Sequence, residues 1–352
     1  MERFERPDYS VSGSKHSARP ALASLYAVAG RFICVEGDEE SASLFRRYFA
    51  DWHVSPFDDD GTVAPDATIR VNDGEEPPRA PASFESFEVA EGGVCRTDGR
   101  EYFFESGGSA VRVRGGTPPL VEVWIGEGTL DRERAALARL IFNASMTAMR
   151  RCGLYELHGA GVVGPAGAGV LFSGPSGSGK STLTTQLAAA GWQYLSDDTL
   201  LLSDRGDSVE ARALRRVFAV TEPTVASGIL DGYETLLEEP APFDARKLRF
   251  EPQTVFPGGF VEACTPQTVI FPSVTNERES RTRKLSQAET MSRLIRMCPW
   301  ACYDRPAANE HLRLLARLAR QAGGFELLAG RDLFGNAAYA SSFMQARLEC
   351  TQ

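Results

Sequence analysis

The chain has 352 residues, 43% hydrophobic and 24% charged, a composition ordinary for a globular protein and a length that allows two or three domains. Its formal net charge of −9 is uneven: residues 1–150 carry 17 Lys/Arg against 25 Asp/Glu, a balance of −8, and residues 151–352 carry 21 against 22, a balance of −1. Neither half has the basic footprint that nucleic-acid binding requires, so that class of function is excluded.

The start, Met1-Glu2-Arg3-Phe4-Glu5-Arg6, is too charged for a signal peptide, and no apolar run reaches membrane-spanning length. Seven scattered cysteines (34, 95, 152, 264, 298, 302, 350) lack zinc-ligand spacing to any histidine and read as free thiols. These features predict a cytoplasmic protein with no membrane or nucleic-acid partner, and they leave homo-oligomer formation open.

The first twenty or so residues are polar and irregular. Glu40 to Trp52 reads as a helix, and Asp58-Asp59-Asp60-Gly61 as the turn that closes this region. From there to about residue 126 the pattern is β, with strands at Ala67–Val71, Phe84–Val89, Ala110–Val113 and Leu120–Ile125. Asp98-Gly99 is a hairpin turn inside Val94–Phe104. A helix from about Asp131 to Arg151 follows, with Leu137, Leu140, Ile141, Ala144 and Ala148 on one face. The expected division places a β-rich domain at residues 1–128 and a second domain, including this linking helix, at 129–352.

Leu154 to Val163 and Val170 to Ser173 flank a glycine turn at residues 164–169, which predicts an antiparallel hairpin. The second of these runs leads into Gly174-Pro175-Ser176-Gly177-Ser178-Gly179-Lys180-Ser181, which fits G-x-x-x-x-G-K-[ST] at every fixed position. Glycines let successive N–H groups turn inward around phosphate oxygens, and the next helix offers its positive end. That helix is Ser181 to Ala190, with Leu183 and Leu187 on one face and Gly191 placed as its C-terminal cap. The motif predicts a nucleoside triphosphate held by Gly174–Thr182, with Lys180 on the β/γ-phosphates and Ser181 on Mg²⁺.

Trp192 to Leu195 is the next strand, ending in Ser196-Asp197-Asp198, and Leu200–Leu202 either extends it or begins another. Carboxylates at such a strand end can hold Mg²⁺ or accept the proton of an attacking hydroxyl. His158 opens the hairpin before the phosphate-binding loop, where it can orient a phosphate oxygen, assist proton transfer, or serve only as a hydrogen-bonded structural residue. Further on, Gln267–Phe271 reads as a strand ended by Pro272, and Ser286 with Glu289 as a capping box. A helix at Asn309–Gln321, a strand at Phe325–Leu328 and a helical tail close the chain. Arg215-Arg216, Arg246-Lys247-Arg249 and Arg281-Arg283-Lys284 are basic clusters, none of which the sequence alone assigns to the site.

Leu157-His158-Gly159, the run from Gly169 to Thr182, Gly191 and Ser196-Asp197-Asp198 together resemble the C-terminal domain of HPr kinase/phosphorylase and its relatives. The likeness is strong over about forty residues and weaker in the later segment with Ile270-Phe271-Pro272 and Phe325-Glu326-Leu327. It implies an α/β fold, a P-loop HPr-kinase-like domain with a mixed sheet, preceded here by a smaller β-rich α+β domain. It also implies roles: Lys180 on the phosphates, Ser181 and Asp197 on the metal, Asp198 as general base, and His158 near the transferred group. The family's longer signature segment is not found. The first half is unlike the N-terminal domain of the HPr kinases and looks more like HPr-kinase-like proteins associated with peptide maturation systems. In those the acceptor is implied to be a serine of a ribosomally made peptide, with the β-rich domain a candidate for docking it.

The expectation is therefore an ATP- and Mg²⁺-dependent serine kinase acting on a peptide or protein. A small-molecule hydroxyl kinase and a nucleotide-binding regulatory module without chemistry are the alternatives.

Overall fold

Period-two burial builds the first sheet. The structure is a computed structural model that describes residues 22–58, 61–72, 76–89, 93–126, 134–238, 246–298, 300 and 304–349. The polar start, Asp59–Asp60, residues 131–133 at the head of the expected helix, Cys302 and Cys350 lie outside the described residues. By its contacts the chain divides into two units, Met1–Tyr48 with Ser55–Cys152, and Phe49–Val54 with Gly153–Gln352.

In the first unit β1 (Leu22–Val28) and β2 (Arg31–Gly37) form a hairpin, followed by α1 (Glu39–Phe49), β3 (Ser55–Phe57) and β4 (Ala67–Asn72). A meander of β5 (Glu85–Val89), β6 (Gly93–Thr97), β7 (Tyr102–Ser106), β8 (Ser109–Arg114) and β9 (Leu120–Trp124) completes a nine-stranded sheet. Its order is β3-β1-β2-β4-β9-β8-β7-β6-β5, with the β2–β4 and β4–β9 pairs parallel. Ile69, Val111, Val113, Val121 and Val123 are fully buried on one face, where α2 (Arg134–Arg151) packs against β4, β8 and β9. The expected face of α2 is buried, and so are Ser145, Thr147 and Arg150. Contacts thus group this helix with the first sheet, whereas the expected boundary near residue 128 put it with the second domain. The physical reason is that its apolar side covers the first sheet.

The other face of that sheet carries a row of charge. Glu36, Arg70, Glu122, Arg112, Phe103 and Arg96 stand opposite one another on six consecutive strands. Arg70 pairs with Glu36 at 2.8 Å, Arg114 with Glu122 at 2.9 Å, and the Arg112 guanidinium lies over the Phe103 ring at 5.3 Å. Directly opposed, opposite charges stabilise this sheet face, where Glu122 and Phe103 are buried and Arg70 is exposed.

The second unit has a mixed sheet apolar on both sides. β10 (Tyr155–Val163) and β11 (Gly169–Ser173) form the expected antiparallel hairpin. β12 (Gln193–Ser196) and β13 (Thr199–Asp204) both pair with β10, and β14 (Val209–Ala213) with β13. β15 (Phe218–Thr221) and β16 (Lys247–Phe250) make a separate antiparallel pair. β17 (Ala263–Cys264) adds to β14, while β18 (Pro266–Val274) runs parallel to β11. β19 (Arg281–Lys284) and β20 (Gly323–Ala329) complete the order β17-β14-β13-β10-β11-β18-β20-β19.

Side chains alternate between two cores. Leu157, Leu171, Val269 and Phe271 enter one, with Leu294 of α4 (Gln287–Arg296) and Leu315 and Leu318 of α5 (Arg305–Gln321). Val162, Phe172, Ile270 and Leu327 enter the other, with Leu183 and Leu187 of α3 (Lys180–Ala189) and Met344 of α6 (Ala337–Glu349). Burial on both faces explains why β11 reads as a continuous apolar run.

The capping box forms as expected: Ser286 Oγ accepts from Glu289 N at 3.2 Å, and Ser286 N donates back at 2.8 Å. Pro272 does not end its strand, which continues to Val274. The β11 ladder stops at Ile270, so the missing N–H falls where β18 has lost one neighbour. Among the described residues Cys34, Cys95, Cys152, Cys264 and Cys298 form no disulfide. Among the described residues no helix is long and apolar enough to cross a membrane.

Candidate functional site

β11 delivers the chain from the middle of the second sheet into the glycine-rich turn, and α3 leaves from it at Lys180. Gly179 has φ +99°, a conformation closed to most side chains, and it caps the helix start. A Cβ on Gly174 would meet Ser178 Oγ at 2.9 Å, so the turn tolerates only glycine there without a shift. Lys180, almost fully buried, folds back along the turn. Its Nζ donates to the carbonyls of Gly174 at 2.7 Å and Pro175 at 3.0 Å, and lies 3.1 Å from His158 Nε2.

Asp197 and Asp198 sit at an interruption in a strand. β12 ends with Ser196 opposite Gly161, and β13 begins with Thr199 opposite His158. Two residues separate these pairs on each strand, so the register carries straight through the acid pair. Leu200–Leu202 thus continues the same line along β10. Gly159 N still donates to Asp198 O at 2.8 Å, but the two acids leave the ladder. Their side chains go to different places. Asp197 is buried, with Oδ2 accepting from Ala219 N at 2.9 Å and Oδ1 without a hydrogen-bond partner. Asp198 faces the cavity: Oδ1 is 3.5 Å from His158 Nδ1, and Oδ2 accepts from Thr199 Oγ1 at 2.9 Å. Arg215 Nε lies 3.9 Å from the same Oδ2.

Burial dominates the electrostatics. It pulls Lys180 down to about 8, with Lys247 acting in the same sense and Asp198 and Asp197 against it. Burial also lowers His158, which Asp198 opposes and Lys180 reinforces. At neutral pH the lysine therefore keeps its proton and the imidazole is neutral. The ammonium donates to Nε2, which leaves the ring proton on Nδ1, directed at Asp198. Burial pushes the Asp197 carboxyl up to about 6, and the neighbouring Asp198 charge adds to the rise. At Asp198 burial also opposes ionisation. There the His158 ring, Arg215, the Thr199 hydroxyl and Lys180 outweigh it and hold the carboxyl well below its usual range. One acid is poised for a second positive partner and the other stays ionised at the cavity wall.

The cavity measures about 350 Å³ and is lined by His158, Ser176, Gly177, Gly179–Thr182 and Asp198. So the structure brings together His158, Lys180, Ser181, Thr182 and Asp198 on one cavity, with Asp197 just behind it. Gly174 and Pro175 contribute the carbonyls that hold Lys180. Lys247, visible in the sequence only as part of a basic cluster, lines the same space, as do Thr224, Val274 and Phe334, which did not stand out. Lys247 arrives on β16, whose partner β15 also supplies the Ala219 N–H to Asp197. Among the described residues Lys247 makes no ion pair. Of the three basic clusters, two thus send one residue each to the site, Arg215 and Lys247. The third lies on β19, at the sheet edge, where Arg283 pairs with Glu289 and Glu326.

The donor set suits a small hard cation. Asp197 Oδ1 has no partner at hydrogen-bonding geometry, and the Ser181 hydroxyl lies beside that carboxyl, drawing it down against burial, and 3.5 Å from Asp197 O. Two oxygens of this kind are what Mg²⁺ takes from a protein when phosphate supplies the rest. Among the described residues no group of three or more His, Cys, Asp or Glu forms a metal cluster.

No family model and no curated protein matches the chain. Among solved structures it is similar to the Hpr(Ser) kinase/phosphatase from Coxiella burnetii, at 12% identity over 55% of this chain and 92% of that one, with a TM-score of 0.31.

Proposed function

We propose that the second unit is an ATP- and Mg²⁺-dependent phosphotransferase that moves the γ-phosphoryl group to a serine hydroxyl of a peptide or protein. The observation that carries this reading is the line Lys180–His158–Asp198, joined at 3.1 Å and 3.5 Å on one cavity beside the glycine-rich loop. A module that only binds nucleotide needs the loop and the lysine. It does not need an ionised carboxylate facing the same cavity, tied to that lysine through an oriented imidazole.

The loop amides and Lys180 would hold the phosphates, the lysine exchanging its carbonyl partners for phosphate oxygens. Ser181 and Asp197 would hold Mg²⁺, which when bound offsets the charge of the triphosphate. Asp198 accepts the proton of the incoming hydroxyl as its oxygen bonds to the γ-phosphorus and the bridging P–O bond to ADP breaks. His158 keeps Asp198 aligned through its Nδ1–H. Lys247 and Arg215 add positive charge where the transferred group passes.

The test is labelled ATP with Mg²⁺, the full chain and a library of serine peptides, run beside a panel of free alcohols. Asp198→Asn should cut transfer about a thousandfold and leave ATP affinity within about threefold. Undiminished transfer by that variant removes Asp198 as base. Transfer to free alcohols alone replaces the peptide acceptor with a metabolite.

A further inference from the structure

A second cavity, larger than the first at about 630 Å³, lies on the other flank of the same loop. Gly174 and Pro175 form one wall, Phe271 and Pro272 at the end of β18 another, and α4 the third. Ala288, Ser292 and Arg296 recur every four residues, so one stripe of α4 faces this space while Thr290 and Leu294 are buried on its far side. The lining is mixed in a specific way. Phe271, Pro175, Pro272 and Met297 offer apolar surface.

The charged groups are not equivalent. Arg293 is committed, since it pairs with Glu326 and stacks over Phe271 at 5.7 Å. Glu289 is committed too, to the cap of its own helix and to Arg283 at 2.9 Å. Arg296 is exposed and, among the described residues, makes no ion pair. A guanidinium left unpaired beside an apolar pocket matches a ligand with an apolar body and an anionic end.

We propose that this cavity binds such a ligand, an apolar molecule or peptide segment carrying a carboxylate or similar anion, with Arg296 as its anchor. Its place gives the ligand a role. Ser173, on the cavity wall, pairs with Gly159 and donates through Oγ to His158 O at 3.2 Å, so the pocket stands one residue from the imidazole. The ligand is then the phosphoryl acceptor, docked by its anion on one side of the loop while ATP fills the other. That role rests on the phosphotransfer reading, whereas the binding itself does not.

The test titrates the full chain with anilinonaphthalene sulfonate, an aromatic body with one anion, and with phenylnaphthylamine, the same body without it. Both dyes should bind saturably, the sulfonate more tightly. Arg296→Glu should weaken the sulfonate at least about tenfold and leave the neutral dye within about twofold. Ala288→Trp, which fills the pocket from an exposed helix position, should remove both dyes. Saturating MgATP should displace neither. An equal response of the two dyes to Arg296→Glu, dye binding that survives Ala288→Trp, or displacement of the sulfonate by ATP would each overturn the site. ATP binding is measured in the same samples. If ATP fails to bind while the Arg296-dependent dye binding holds, the anion site stands and the phosphotransfer reading falls.

Discussion

The two sheets of this protein treat charge in opposite ways. On the first, Glu36, Arg70, Glu122 and Arg112 lie in a row, each next to its opposite, and their charges are spent on one another. In the second, Lys180 and Asp197 are buried among apolar strands, and Asp197 keeps one oxygen without a partner. Burying a charge in this way costs stability unless a ligand completes it. The first arrangement holds a surface together. The second leaves an electrostatic deficit beside the glycine-rich turn.

Substitutions can break that contrast, beginning with the largest effect. Lys180→Ala should lower phosphoryl transfer about a thousandfold, equivalent to about 4 kcal/mol, yet leave the melting temperature unchanged or higher, because a buried cation has gone. A marked fall in melting temperature would mean that the lysine is there to hold the loop, as the ladder charges hold their sheet. Leu171→Ala, in the core beneath the loop, should cost about 3 kcal/mol in denaturant unfolding. A loss under about 1 kcal/mol would show that this core is less tightly packed than its complete burial indicates.

His53 sharpens the comparison by pH. It belongs to the second unit by contact, its ring stacked on Phe260 at 4.4 Å. Burial, and then Arg216, lower it to about 4. Because the folded value lies below the unfolded one, its neutral form supports the fold above about pH 6.5, and that support is lost as pH falls from there to about 4. His53→Gln should flatten this acid loss by about 1–2 kcal/mol, allowing for the ring's partial exposure. Parallel pH profiles for the two proteins would remove the histidine from the account. The smallest effect is expected on the first sheet, where Arg70→Ala should cost less than about 1 kcal/mol, since its pair is exposed. A larger loss there would reveal the row acting as a network.

Elements with a local signature were legible in the sequence. The hairpin into the loop, the helix from Lys180, the Gly191 cap and the Ser286–Glu289 box all depend on residues a few positions apart, and each is present. The strands Leu22–Val28, Phe218–Thr221 and Lys247–Phe250 were not picked out. β15 and β16 are four residues each and pair with each other, apart from a single bridge from Glu238 to Arg249, and are too short to show a period. Lys247 was hidden for that reason. In a basic cluster it looks like any solvated lysine until its strand pairs with Phe218–Thr221.

By itself, the sequence determined the glycine-rich turn and where the acid pair and the histidine stand around it, because backbone geometry in a glycine turn and the order of flanking strands are local properties. Only the tertiary structure decided how the two acids divide. The register between β10 and the broken β12–β13 line turns one carboxyl into the interior and the other to the cavity wall. It likewise decided that Phe49–Val54, early in the chain, belongs with the second unit, since such contacts join residues more than a hundred positions apart and leave no periodic trace.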